Sequence, residues 1–166
     1  MHRFLVMLAL LIGLAVAPSA RAAPSEQRFA LVIANSSYQA KTLPTAVNDA
    51  ALVAQTLQAA VCDVTGLRDL NGDMFRQSFR DFFAKVKNSG RDAVVAIYFA
   101  GLGLQFEGEN YLLPVDAEIA KPSDLRRRAV ALSEQMHALA ALHVKSAFVV
   151  VDAARPGPFL LSGRQI

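Results

Sequence analysis

The chain has 166 residues, of which 17 are Lys or Arg and 14 are Asp or Glu, giving a formal net charge of +3. Two of the basic residues, Arg3 and Arg21, lie within residues 1–22, so the remaining chain carries 15 basic and 14 acidic residues and a charge of +1. This small charge argues against nucleic-acid binding, which usually requires a clustered basic face. The only basic run, Arg126–Arg128, is typical of a solvated helix or loop. The single cysteine, Cys62, excludes an internal disulfide.

Residues 1–22 have the features of a signal peptide. A positive start precedes an apolar run at residues 4–17, and Ala20-Arg21-Ala22 forms a small-x-small cleavage site. We therefore expect a periplasmic or secreted protein with a single mature domain at residues 23–166. The apolar run is short for a membrane span, so we expect no stable span after signal removal; a retained amino-terminal anchor is the alternative.

The first predicted strand covers residues 28–34, where a continuous apolar run indicates burial on both faces. After a polar loop, Thr45 or Asn48 is expected to cap a helix that ends near residue 60. A second strand is predicted at residues 61–67. The first three elements thus alternate strand, helix and strand.

The clearest predicted helix begins at Asn71 and ends near Gly90. Its apolar residues form one wide stripe, made of Phe75, Phe79, Phe82, Phe83 and Val86. A third strand is predicted at residues 93–100, and a hairpin centred on Gly108 at residues 104–113.

Ser133 is expected to cap the last helix, to about residue 142, and the fourth main strand is predicted at residues 146–152. Buried strands that alternate with helices indicate an α/β fold, a three-layer α/β/α sandwich with a mainly parallel sheet. Ligand sites in such sheets lie beyond the carboxyl ends of the strands. Few residues follow the fourth strand, so we expect either an exposed sheet edge or a carboxy-terminally incomplete domain.

Four segments in order carry a family resemblance: ALVIANSSY, LPTAVNDAALVAQTL, YFAGLGLQFEGENYLLPVD and VVVDAARPGPF. Together they resemble the caspase-like cysteine peptidases of bacteria, relatives of metacaspases. The resemblance extends from residue 28 to about 159 and implies the same sandwich fold. It also implies a histidine in Tyr-Ala-Gly-His-Gly and a cysteine in Asp-Ala-Cys-Arg, each at a strand end.

The chain has Leu102 and Ala154 where the resemblance places that histidine and cysteine. The family chemistry needs a thiolate nucleophile and an imidazole that activates it. Neither leucine nor alanine can attack a carbonyl or accept a proton. The resemblance therefore implies a pseudo-peptidase. The alternatives are an active Arg- or Lys-directed cysteine endopeptidase and a degenerate fragment without function.

The resemblance also implies a pocket for a basic side chain, formed by Asp49 and Asp152. The alternative for Asp49 is a first-turn helix carboxylate, and the alternatives for Asp152 are a solvated turn residue or a salt bridge with Arg155. The backbone amides of Gly103 and Ala154 match the family's oxyanion site. The expected partner is a peptide or protein with basic side chains, and no cofactor or metal is expected.

Other side chains with catalytic potential have simpler explanations. Cys62 falls at the start of the second strand, and His137 and His143 lie on or just after the helix that precedes the fourth strand, so all three are expected at the sheet edge opposite the site. Ser36 and Ser37 follow the first strand on the correct side, but no base is expected beside them, which favours turn roles.

Overall fold

The computed structural model describes residues 26–39 and 41–154, which form six strands and four helices. The strands are β1 (Arg28–Ala34), β2 (Asp63–Arg68), β3 (Val94–Phe106), β4 (Glu109–Leu112), β5 (Val130–Ala131) and β6 (Ser146–Ala154). The helices are α1 (Pro44–Ala59), α2 (Gly72–Lys87), α3 (Pro122–Arg128) and α4 (Leu132–Ala140). The predicted signal peptide and the residues after 154 lie outside the described residues.

The centre of the sheet is parallel, in the order β2-β1-β3-β6. Beyond residue 102, β3 pairs with β4 in the antiparallel sense, and β4 pairs with β5. The predicted α/β class with a mainly parallel sheet is confirmed. The parallel order also brings the carboxyl ends of β1, β3 and β6 to one edge.

Helices cover both faces of this sheet. On one face, Ala46 and Ala50 of α1 pack in a buried cluster with Ala100 of β3. On the other face, the phenylalanine stripe of α2 packs against β1 and β3, and the rings of Phe75 and Phe99 stack with centroids 5.4 Å apart. The three layers follow because a continuous apolar strand needs a cover on each side.

The third strand differs from the prediction, since β3 runs without interruption through Gly101 and Gly103 to Phe106. Gly101 is required there, because a Cβ atom would come within 2.6 Å of both the Phe99 ring and the Tyr38 hydroxyl. The predicted hairpin at Gly108 is confirmed. Glu107 and Gly108 make its turn with φ values of 49° and 81°, as a two-residue hairpin loop requires.

Two predicted helix starts are wrong. Helix α1 begins at Pro44, before Thr45 and Asn48, and no side chain caps it; proline suits this first position because it lacks the N–H that would be unpaired. Helix α4 begins at Leu132, and Ser133 instead donates its amide and hydroxyl to Glu109. The Asn71 cap of α2 is confirmed by a 2.9 Å bond from the Met74 amide to Asn71 Oδ1.

Strand β6 is the outermost strand on its side of the parallel sheet among the residues that the structure describes. Within residues 26–39 and 41–154 it pairs with β3 alone. Phe148 and Val150 on β6 are 62% and 53% exposed. Within the same described residues, no helix is both long enough and apolar enough to cross a membrane.

Candidate functional site

Residues 102 and 154 are direct neighbours at the carboxyl edge of the sheet. Strands β3 and β6 are parallel, and their register pairs Leu102 with Ala154, one step beyond the pair Gly101 and Ala153. The two positions that the sequence resemblance assigns to imidazole and thiol therefore meet across one strand pair. Both present hydrocarbon.

Leu102 is closed off from solvent, whereas Ala154 is exposed. The Leu102 side chain is only 1% exposed and belongs to a buried cluster with Tyr38 and Leu113, among others. A general base has to reach the proton that it accepts. The hydrocarbon side chain of Leu102 has no atom that could accept one, and almost none of its surface is exposed.

A buried tyrosine fixes the strand end around Leu102. The hydroxyl of Tyr38 accepts a hydrogen bond from the Leu102 amide at 2.8 Å and donates one to the Leu113 carbonyl at 3.0 Å. Asn35 supports it, because its Nδ2 donates to the same carbonyl at 3.1 Å and its Oδ1 accepts from the Leu70 amide. Burial raises the pKa of the Tyr38 hydroxyl well above its ordinary value. The resulting network joins three segments that are distant in sequence.

Ser36 and Ser37 are held in a separate network around Asp69. The carboxylate of Asp69 accepts bonds from both serine amides, at 2.8 and 3.0 Å, and from both hydroxyls, at 3.2 and 3.0 Å. Burial opposes the charge on Asp69, but these bonds outweigh it and lower its pKa. A carboxylate that is saturated with hydrogen bonds and more acidic than usual is a poor base, so this network organises the loop after β1.

Two carboxylates act on the hydroxyl of Tyr98, on the same face of β3 as Leu102. Tyr98 Oη donates to Asp152 Oδ2 at 3.2 Å, and the charge of Asp49 on α1 also acts on this hydroxyl. Burial, then the charge and hydrogen bond of Asp152, then the charge of Asp49 raise the pKa of Tyr98 to about 12. Asp49 and Asp152 are both exposed to solvent, so a cation has access to them.

Sequence reasoning missed Tyr98 and Tyr38 as parts of the site. Tyr98 lies inside an apolar run, but alternate residues of a strand share one face. The spacing of residues 98, 100 and 102 could therefore have predicted that Tyr98 lies on the same face as Leu102. Tyr38 lies in a polar loop, and its contact with Leu102 spans 64 positions in the sequence. No local pattern predicts a contact of that range.

The remaining candidates occupy the positions expected from the sequence or contribute little. Gly103 continues β3 opposite Leu112 of β4, and a cleft of about 140 Å³ lies beside it and Ala153. Cys62 precedes β2, and His143 lies between α4 and β6, so both lie toward the amino ends of the strands. Among the described residues, no group of three His, Cys, Asp or Glu side chains could hold a metal.

A larger cavity, of about 1050 Å³, lies on a different part of the surface. It separates α2 from the β3–β4 hairpin and α3, and its charged lining consists of Arg76, Arg80, Arg126, Glu107, Glu109 and Glu134. Three positive and three negative side chains leave it without a net preference for either sign. Neither Leu102 nor Ala154 lines this cavity, so it is separate from the candidate site.

The geometry defines a three-layer α/β/α domain of caspase-like fold, with its candidate site where β3 and β6 end side by side. The sequence profile of the Caspase domain family matches residues 27–164, and the chain belongs to this family. Comparison with curated proteins gives no match.

Proposed function

We propose that this protein is a caspase-like domain without peptidase activity, which binds a basic side chain of a peptide or protein between Asp49 and Asp152. The observation that carries the proposal is the pairing of Leu102 with Ala154, with Leu102 only 1% exposed. The site keeps its position on the fold but has lost its reactive groups.

The loss of activity follows from the chemistry of covalent peptide cleavage. A thiolate must attack the carbonyl carbon, and an imidazole must hold the thiol deprotonated and then protonate the leaving amine. Ala154 supplies no nucleophile, and Leu102 supplies no base. The hydroxyls of Ser36 and Ser37 are engaged with Asp69 and have no histidine partner within residues 26–39 and 41–154, so the loop after β1 offers no substitute.

An assay of cleavage tests this part directly. A fluorogenic peptide that ends in arginine should not be hydrolysed above the buffer rate. The matched control is Cys62→Ser, which removes the only cysteine of the chain. The proposal would be overturned if both a thiol alkylator and Cys62→Ser abolished hydrolysis. If the Cys62→Ser protein still hydrolysed the peptide and the alkylator still inhibited it, the activity would come from a contaminating peptidase.

The binding part rests on charge and position. Asp49 and Asp152 belong to different elements, yet both act on the hydroxyl of Tyr98. A cation that approaches the Tyr98 hydroxyl would be attracted by both carboxylates. A guanidinium group suits the site because it offers several donors in one plane to more than one carboxylate.

Titration with a labelled arginine peptide tests the binding part. Asp152→Asn keeps the shape of the side chain and removes its charge, and it should weaken binding by about tenfold or more, since hydrogen bonds to charged groups are worth roughly 1.5–3 kcal/mol. The control is Asp92→Asn, an exposed carboxylate just before β3 and therefore at the opposite end of the strands. Equal affinity of the wild type and Asp152→Asn would remove the basic site.

We also propose that the domain acts in the periplasm or outside the cell, which the signal-like pattern of residues 1–22 supports. Amino-terminal sequencing of the protein recovered from the periplasmic fraction should begin near Ala23. Recovery of the chain with Met1 intact in the cytoplasmic fraction would contradict this location.

A further inference from the structure

The cavity of about 1050 Å³ beside α2, α3, α4 and the β3–β4 hairpin has two walls of opposite charge. Its six charged side chains are grouped by sign and by element. The arginine wall consists of Arg76 and Arg80 on α2 and Arg126 on α3, and the glutamate wall consists of Glu107 and Glu109 on the hairpin and Glu134 on α4. Positive and negative charges therefore approach the cavity from different parts of the fold.

Hydrogen bonds hold each wall together. Arg76 donates to the carbonyls of Arg127 and Ala129, which joins α2 to the end of α3. Glu109 accepts bonds from the amide and the hydroxyl of Ser133, which joins the hairpin to the first turn of α4. Both walls are thus fixed by contacts within the protein and need no ligand to form.

The two walls do not neutralise each other. Within residues 26–39 and 41–154, no salt bridge joins an arginine of one wall to a glutamate of the other. In the same part of the chain, Arg126 and Glu134 are exposed and make no side-chain hydrogen bond or salt bridge. Arginine and glutamate are both ionised at neutral pH. The cavity therefore offers one positive and one negative anchor to a ligand.

The size and the remaining lining of the cavity indicate what kind of molecule fits. Phe106, Tyr111, Pro122 and Val130 add apolar surface to the charged groups. Sites for drug-sized ligands have volumes of about 300–1,000 Å³ and combine apolar surface with a few polar anchors. This cavity lies at the upper end of that range, which favours a ligand larger than a single amino acid.

We propose that this cavity binds a short peptide with free ends, with the terminal carboxylate beside Arg126 and the terminal ammonium beside Glu134. Such a ligand carries both signs of charge and can satisfy both walls at once. A ligand of one sign would be attracted by one wall and repelled by the other. The site is separate from the one between Asp49 and Asp152, which takes a cation alone.

Calorimetric titration with three related peptides tests the need for both charges. The probes are trialanine, its N-acetyl derivative and its carboxy-terminal amide, and alanine peptides of two to five residues find the length that best spans the cavity. Trialanine should bind at least about tenfold more tightly than either blocked form, because each block removes one charge-assisted interaction. Equal binding of the free and blocked forms, or no binding at any length, would overturn the inference.

Two variants test the orientation of the peptide. Arg126→Gln should weaken trialanine binding about tenfold but leave the amide unaffected, since the amide has no carboxylate. Glu134→Gln should weaken trialanine but leave the N-acetyl form unaffected. The matched controls are Arg128→Gln and Glu118→Gln, because these two residues form an exposed pair 3.7 Å apart that does not line the cavity. Equal weakening of all three peptides would assign Arg126 and Glu134 a purely structural role and overturn the inference.

Asp152→Asn separates this site from the proposed function. It should leave trialanine binding unchanged, because Asp152 does not line the cavity. If Asp152→Asn abolished trialanine binding and Glu134→Gln did not, the peptide amine would occupy the acidic site and the cavity would be excluded, while the proposed function would stand. If Asp152→Asn left the binding of both the arginine peptide and trialanine intact, the proposed basic site would fail and the cavity would stand.

Discussion

Replacement of Leu102 by histidine, the residue of the family motif, should destabilise the protein. Leu102 is 1% exposed among apolar side chains, so an imidazole there would bury a polar group without a designed partner. Such a group costs about 1–3 kcal/mol, to which the imperfect fit in a packed cluster adds about 1–3 kcal/mol. The expected loss in the free energy of unfolding is therefore about 2–6 kcal/mol.

The pH dependence of this loss identifies its cause. Burial disfavours the charged imidazole and should lower the pKa of the new histidine in the folded state below its unfolded value of about 6.5. The unfolded chain then binds more protons as the pH falls, so the variant should lose further stability below about pH 6.5 relative to wild type.

Urea denaturation followed by circular dichroism, at pH values from 5 to 8, measures both effects. The matched control is Leu102→Ala, which should cost about 2–5 kcal/mol through lost burial and a cavity, without a titration of its own. A Leu102→His protein that is as stable as wild type and shows no added pH dependence would refute the claim that this position is closed.

Three further predictions concern the same strand end. The double variant Leu102→His with Ala154→Cys should not hydrolyse arginine peptides, because the imidazole enters a closed cluster; measurable thiol-dependent hydrolysis would show that position 102 can reach a substrate. Tyr38→Phe should cost about 1–3 kcal/mol by leaving the buried Leu102 amide without an acceptor. Burial raises the pKa of Tyr38 in the folded state. The stabilisation that Tyr38 gives to the folded protein is therefore complete below its ordinary pKa of about 10 and is lost at higher pH. In thermal melts between pH 9 and 11, Tyr38→Phe should consequently lose less stability than wild type. Gly101→Ala should lower the melting temperature markedly, because its Cβ would lie 2.6 Å from the Tyr38 hydroxyl and the Phe99 ring; an unchanged melting temperature would contradict this close packing.

The sequence alone determined the order and type of the main elements. Continuous apolar runs marked β1, β3 and β6, and the phenylalanine stripe marked α2, because local periodicity records which faces will be buried. The resemblance of four motifs in one order also predicted that Leu102 and Ala154 lie at neighbouring strand ends, where the structure pairs them. These are properties of short segments and of their order in the chain.

The tertiary structure decided the features that depend on distant residues. The enclosure of Leu102 by Tyr38, the bond from Tyr98 to Asp152 and the passage of β3 through Gly101 all join segments that fold together from separate parts of the sequence. The helix start at Leu132 was also set by its surroundings, since Ser133 bonds to Glu109 instead of capping α4. A hydroxyl or carboxylate has several possible partners nearby in sequence, and only the packed fold determines which one is close enough to bind it.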